Sequence, residues 1–196
     1  MKWTDQSPEL HDARWPAAGE FAPPSRQLCA AGPQAPDPDH QAWMPPAVHR
    51  AVLDHLRAAP VEQGGLLLGR VCRRPGDDAM LLIVEEAVAA RQSQGTGFSL
   101  RMAAGVWSDA GVRLNRLQER DPAARVLGWY HSHPGLGAFF SATDCRTQAS
   151  FFHHRWSLGW VIDPLDDSHA CFVGPDSRPI AAWLLGSGTR DEPLPA

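Results

Sequence analysis

At 196 residues the chain is long enough for one well-buried domain and too short for two large ones. Its 43% hydrophobic and 20% charged residues describe an ordinary globular protein and exclude a disordered one. The formal net charge of −4, without any run of lysine or arginine, excludes the electrostatic footprint of a nucleic-acid binder, and the longest strongly apolar stretch, Ala79 to Val84, falls far short of the ~20 residues a membrane helix needs.

The opening residues MKWTDQSPELHDARWP lack the apolar block of a secretory signal, so a cytoplasmic protein is expected, with neither nucleic acid nor membrane as partner. Prolines crowd the segment before Pro46, among them Pro23, Pro24, Pro33, Pro36 and Pro38, and interrupt any helix or strand there. The reading is a proline-rich arm over residues 1–44. Its Trp3, Trp15 and Phe21 would gain much by burial, against the domain or against a partner.

A domain is expected over residues 45–187. Val48, Val52, Leu53 and Leu56 recur at helical spacing until Pro60 stops the run. GGLLLGRVC and AMLLIVEEAVA flank RRPGDD, whose turn chemistry predicts an antiparallel hairpin. Met102, Val106, Val112, Leu114 and Leu117 predict a helix from about Arg101 to Glu119, weakened by Gly105 and Gly111. ARVLGWYH reads as a buried strand, SATDCRTQASFF as a helix, and SLGWVID, HACFV and PIAAWLL as three more strands. The expected class is therefore α/β (α+β), a mixed sheet of five or six strands flanked by helices, followed by a flexible tail over 188–196. Cys29, Cys72, Cys145 and Cys171 form no CxxC pair and read as reduced thiols.

The densest chemistry lies in HSHPGLGAFFSATD, residues 131–144. On an extended strand His131 and His133 point to one face and Ser132 to the other, so two imidazoles can share one metal. Pro134 ends the ladder, and Gly135 and Gly137 let the chain turn back toward Ser141 and Asp144. Taken alone, Ser141-x-x-Asp144 is a helix capping box, and a lone HxH is more often incidental than catalytic. Together they place two nitrogens and one carboxylate near one point, which suits a catalytic zinc with three protein ligands. Such a site needs a proton acceptor for the water that the metal acidifies; Glu62, before Gly64 and Gly65, is the candidate, its bland alternative being a solvated loop residue.

GWYHSHPGLGAFFSATD, with EQGGLLLG upstream, resembles the His-x-His-x7-Ser-x2-Asp signature and glutamate segment of the JAMM (MPN-plus, JAB-domain) metalloproteases, of the prokaryotic ubiquitin-like-protein deconjugase type. The resemblance covers about Pro45 to Leu185. It implies the cytidine-deaminase-like JAB/MPN fold, Zn2+ held by His131, His133 and Asp144, Glu62 as general acid/base, and Ser141 as a donor to the oxyanion. Capping and donation by the one Ser141 hydroxyl are expected to compete, with the catalytic role favoured.

The resemblance also implies a substrate: the bond after the C-terminal tail of a ubiquitin or ubiquitin-like protein, in a conjugate or precursor, with conjugation-pathway enzymes as further partners and a bacterial conjugation or antiviral-defence operon as one setting. Processing of a sulfur-carrier protein and a non-catalytic scaffold are the rival readings. Trp129, Tyr130, Trp156, Trp160 and Trp183 read as core, Phe139 and Phe140 as groove or core, and His153 and His154 as surface or supporting groups. His11, His40, His49, His55 and His169 show no partner pattern.

Overall fold

The computed structural model describes residues 13–17, 19–29, 37–90 and 104–186. In chain order the elements are β1 (Ala13–Arg14), β2 (Pro24–Gln27), β3 (Asp37–Met44), α1 (Pro46–Arg57), β4 (Gly64–Arg73), β5 (Met80–Ala89), α2 (Ala104–Arg120), β6 (Arg125–Ser132), α3 (Ala142–Phe151), β7 (Leu158–Asp163), β8 (Ser168–Val173) and β9 (Arg178–Leu185). The expected mixed sheet flanked by helices is present, and no helix among the described residues is long and apolar enough to cross a membrane.

Among the described residues the sheet has nine strands rather than five or six, eight of them in the order β1-β4-β5-β3-β9-β8-β7-β6 with β2 beside β9, and β4 also pairs with β6. That last pairing closes a circuit of strands. The hairpin read from RRPGDD is β4 with β5, antiparallel from Gly65↔Ala89 to Arg73↔Met80. β6 lies antiparallel to β4 and parallel to β7, so it is hydrogen-bonded along both sides.

Part of the segment read as an arm belongs to this sheet. β3 runs parallel to both β5 (His40↔Met80 to Trp43↔Ile83) and β9 (Gln41↔Ala181 to Met44↔Leu184), and β2 adds to β9. The prolines do not prevent this, because Pro24 is the first residue of β2, Pro38 falls in the irregular stretch between the pairs Asp37↔Ile180 and Gln41↔Ala181, and beyond it the register is continuous with Ala42 and Met44 fully buried. Trp15 and Phe21 dock on the domain itself, against Cys72, Leu81, Ile83 and Trp43. Residues 1–12, including Trp3, the start of the predicted helix at 101–103 and the tail at 188–196 lie outside the described residues.

The core divides between the two faces of the curved sheet. On one, Val48, Val52, Leu53 and Leu56 of α1 pack with Leu67, Val71, Leu82, Tyr130, Trp160 and Ile162. On the other, Val106, Ala110 and Leu117 of α2 pack with Leu66, Leu68, Trp129 and Phe152. A bulge opposite Leu67/Leu68 leaves Leu127 as the extra residue of β6, so Leu127 faces α1 while Trp129 faces α2. Beyond the bulge normal alternation resumes: Tyr130 points into the α1 core and His131 out of it.

Candidate metal centre

His131 is the next-to-last residue of β6, held opposite Gly64 on β4 and Val161 on β7. His133 follows the strand, its N–H donating to the Ile162 carbonyl at 2.9 Å. The chain then turns through Gly135 (φ +74°) and Gly137 (φ +83°), a left-handed backbone that favours glycine. Asp163, at the end of β7, pins this loop: its carboxylate accepts from Gly135 N–H at 3.0 Å, Gly137 N–H at 2.9 Å and Leu165 N–H at 3.0 Å. Burial would raise the Asp163 pKa, but those backbone donors hold it below the ordinary carboxylate value.

The loop delivers α3, which opens on a complete capping box. Ser141 Oγ accepts from Asp144 N–H at 3.2 Å, and Asp144 Oδ2 accepts from Ser141 N–H at 2.7 Å. The box aims Asp144 at the histidines. Its Oδ1 lies 3.3 Å from His131 Nε2, its Oδ2 lies 3.5 Å from His133 Nε2, and the two Nε2 atoms are 3.2 Å apart. All three residues are buried. Burial lowers the His131 pKa, which keeps the imidazole neutral and a lone pair available. Burial alone would raise Asp144, but its contacts with His131, His133 and Ser141 hold it well below the usual carboxylate range.

Two atoms bonded to one tetrahedral zinc at ~2.0–2.1 Å stand about 3.3 Å apart; the two imidazole nitrogens meet this spacing at 3.2 Å, and each has one oxygen of Asp144 within 3.3–3.5 Å. The donor set of two imidazoles and a carboxylate suits zinc and leaves a fourth position for water or substrate.

Glu62 is half-buried and close enough for its charge to act on His131. The adjoining Gln63 fixes its backbone. Ser132 N–H donates to the Gln63 carbonyl at 2.9 Å, Gln63 N–H donates to Ser132 Oγ at 3.0 Å, and the Gln63 amide donates to the α1 carbonyls of His55 at 2.8 Å and Leu56 at 3.2 Å. Gly65 allows β4 to approach its neighbours closely, since a Cβ there would overlap the Val88 carbonyl and sit 2.8 Å from Tyr130 Oη. The expected competition at Ser141 is not what the geometry requires. A hydroxyl that accepts a capping bond through a lone pair keeps its O–H for donation.

The aromatic neighbours separate. Phe139 is 48% exposed at the rim with its ring 5.0 Å from that of His133, whereas Phe140 packs on Phe172 at 4.1 Å and Trp129 at 5.5 Å. Trp129, read only as core, stacks on His131 at 4.4 Å and 9°.

A second grouping, His49, Asp167 and His169, has no signature in the sequence because His49 lies far in the chain from the other two. It lies on the α1 face. His169 Nε2 is 3.5 Å from both His49 Nε2 and Asp167 Oδ1. Trp160 Nε1–H donates to His169 Nδ1 at 3.3 Å, which puts the proton of the neutral ring on Nε2, where a metal would need a lone pair. Arg26 at 3.4 Å and Arg57 at 3.7 Å already balance Asp167. This is a polar cluster within the fold, and burial pushes the His169 pKa down to about 4.

The family Prok-JAB, prokaryotic homologs of the JAB domain, matches residues 45–170. The chain belongs to this JAB-domain family. The JAB-domain chain is 35% identical over 116 residues to ubiquitin carboxyl-terminal hydrolase RPN11 of Saccharomyces cerevisiae, covering 58% of this chain and 35% of that protein. It is 37% identical over 117 residues to 26S proteasome non-ATPase regulatory subunit 14 of Caenorhabditis elegans, again covering 58% of this chain and 35% of the relative. It thus spans about a third of the length of these curated relatives. The solution structure of protein DSY2949 from Desulfitobacterium hafniense shares the JAB-domain chain's fold, with a TM-score of 0.52 over 76% of this chain and 97% of that one at 23% identity.

Proposed function

We propose that this JAB-domain protein is a zinc-dependent hydrolase of the isopeptide or peptide bond that follows the C-terminal tail of a ubiquitin-like protein. The observation that carries the reading is the buried convergence of His131, His133 and Asp144, with donor atoms 3.2–3.5 Å apart, beside Glu62. Similarity to a ubiquitin carboxyl-terminal hydrolase supports the substrate class.

In this reading His131, His133 and Asp144 hold zinc, which when bound supplies Lewis acidity and water acidified toward neutrality. Glu62 accepts the proton of the attacking water on its carboxylate and returns it to the departing amine. Ser141 Oγ–H donates to the oxygen of the carbonyl under attack as negative charge grows on it, while its lone pair keeps Asp144 N–H satisfied. The loop pinned by Asp163 keeps Ser141 and the histidines in one frame, which favours a fixed alignment of the reacting groups.

The test compares wild type with Glu62→Gln for zinc content and for cleavage of ubiquitin-like proteins and sulfur-carrier proteins fused through their C-terminal tails. The expected result is equal zinc in both and turnover lower by several orders of magnitude in the variant, as loss of a proton shuttle predicts. Undiminished turnover removes Glu62 from the mechanism. Zinc-loaded wild type that binds these proteins without cleaving any of them would instead establish a scaffold.

A further inference from the structure

α3 meets the sheet in an unusual way. Of the residues in Ala142–Phe151, the buried ones are Asp144 and Gln148, both polar and one helical turn apart on the same face. A helix normally docks through an apolar stripe, whose contacts tolerate sliding and rolling by fractions of an ångström. Here docking depends on directional bonds.

Gln148 is completely buried. Its Oε1 accepts from Trp129 Nε1–H at 2.6 Å, and its Nε2 donates to the Ser157 carbonyl at 2.8 Å and to the Phe152 carbonyl at 3.5 Å. One amide therefore joins α3 to β6 and to the segment that enters β7. Gly159 on β7 leaves room for it, since a Cβ there would come within 2.9 Å of Gln148 Oε1. Trp129 in turn lies flat against the imidazole of His131, with Phe152 stacked at 5.8 Å and 12° and Phe140 tilted at 5.5 Å.

We infer that Gln148 is a positioning residue for the metal centre: it fixes α3 against β6 so that Asp144 and His131 meet the same ion, through the chain Asp144–α3–Gln148–Trp129–His131. An apolar side chain would fill this space without the desolvation that an amide suffers. It would, however, leave the Trp129 N–H without an acceptor and the helix free to roll. Groups that orient metal ligands from behind typically change affinity 10–100-fold when removed.

The inference rests on the reading that the triad binds a divalent metal, and the test reports on metal, not turnover. Zn2+ affinity is measured by competition with a chromophoric chelator, and the visible spectrum of the Co2+-loaded protein is recorded, for wild type, Gln148→Met, Trp129→Phe, Asp144→Ala and Asp144→Ala combined with Gln148→Met. The expected result is a 10–100-fold loss of Zn2+ affinity and an altered Co2+ spectrum for Gln148→Met. Trp129→Phe, which keeps an aromatic ring against His131 and the bond to Ser157, should lose affinity in the same direction and serves if Gln148→Met does not fold. In the Asp144→Ala background Gln148→Met should change affinity by less than about threefold, because nothing remains for the helix to aim. Unchanged affinity in both single variants, or an equal loss with and without Asp144, overturns the inference. Failure of wild type to bind Zn2+ overturns the metal reading itself.

Discussion

On the proposed mechanism Ser141 has two tasks, which one pair of substitutions separates. As a cap its side chain accepts one bond, from Asp144 N–H at 3.2 Å, while the reciprocal bond to Asp144 Oδ2 comes from its backbone and survives any substitution but proline. Ser141→Ala should therefore remove half of the capping box, about 1 kcal/mol, which for a chain of this size lowers Tm by ~2–4 °C. Against a typical stability of ~5–15 kcal/mol the protein remains folded, so the stability loss has no effect on the fraction of working molecules. Loss of the donor to the growing oxyanion should reduce kcat by ~10²–10³. Ser141→Gly costs the cap only a few tenths of a kcal/mol, yet lacks the same hydroxyl. Turnover of a tail-fused ubiquitin-like protein at equal zinc occupancy should fall equally in both variants while their Tm values differ. Full turnover in the glycine variant would show that the hydroxyl serves the helix alone, and would refute the oxyanion role.

Other perturbations bear on the frame around the site. His169, whose pKa burial lowers from 6.5 to about 4, binds its proton more weakly folded than unfolded. Its contribution is fully present above pH 6.5 and is lost as pH falls toward 4. That loss is roughly 3 kcal/mol at ~1.4 kcal/mol per pH unit. Urea titrations of chelated protein from pH 7.5 to 4 should show this slope in wild type and a shallower one in His169→Gln; equal slopes would remove His169 as its source. Gly65→Ala forces a methyl into the Val88 carbonyl and Tyr130, so it should cost more than 2 kcal/mol and displace the Glu62 segment. A variant of wild-type stability by urea denaturation would contradict the close approach of β4 and β5.

The sequence made legible those elements whose own residues carry the signal. The β4–β5 hairpin, β6 and β7 are continuous apolar runs because both of their faces are covered, and α1 shows one apolar stripe because only one of its faces is. β3 escaped because Pro38 and its polar residues outweigh the short buried pair Ala42 and Met44, and its strand form is imposed by β5 and β9 on either side. The convergence of His131, His133 and Asp144 was legible since strand alternation, a glycine turn and a capping box act over short distances. Asp163, Gln148 and Trp129 were not, because an aspartate that gathers loop amides and a glutamine that faces an indole acquire meaning only when strands distant in the chain lie side by side.

The ladders that bind β6 on both flanks have a consequence for how such a molecule is kept in working order. On the proposed reading, the donor mounted on that support, His131, keeps its place without a cation, unlike the ligands of small domains that fold around their metal. Loading and stripping then exchange an ion and a few waters, not a chain conformation. On that reading the proportion of competent molecules follows the supply of the ion, and a stripped copy is idle stock, not debris.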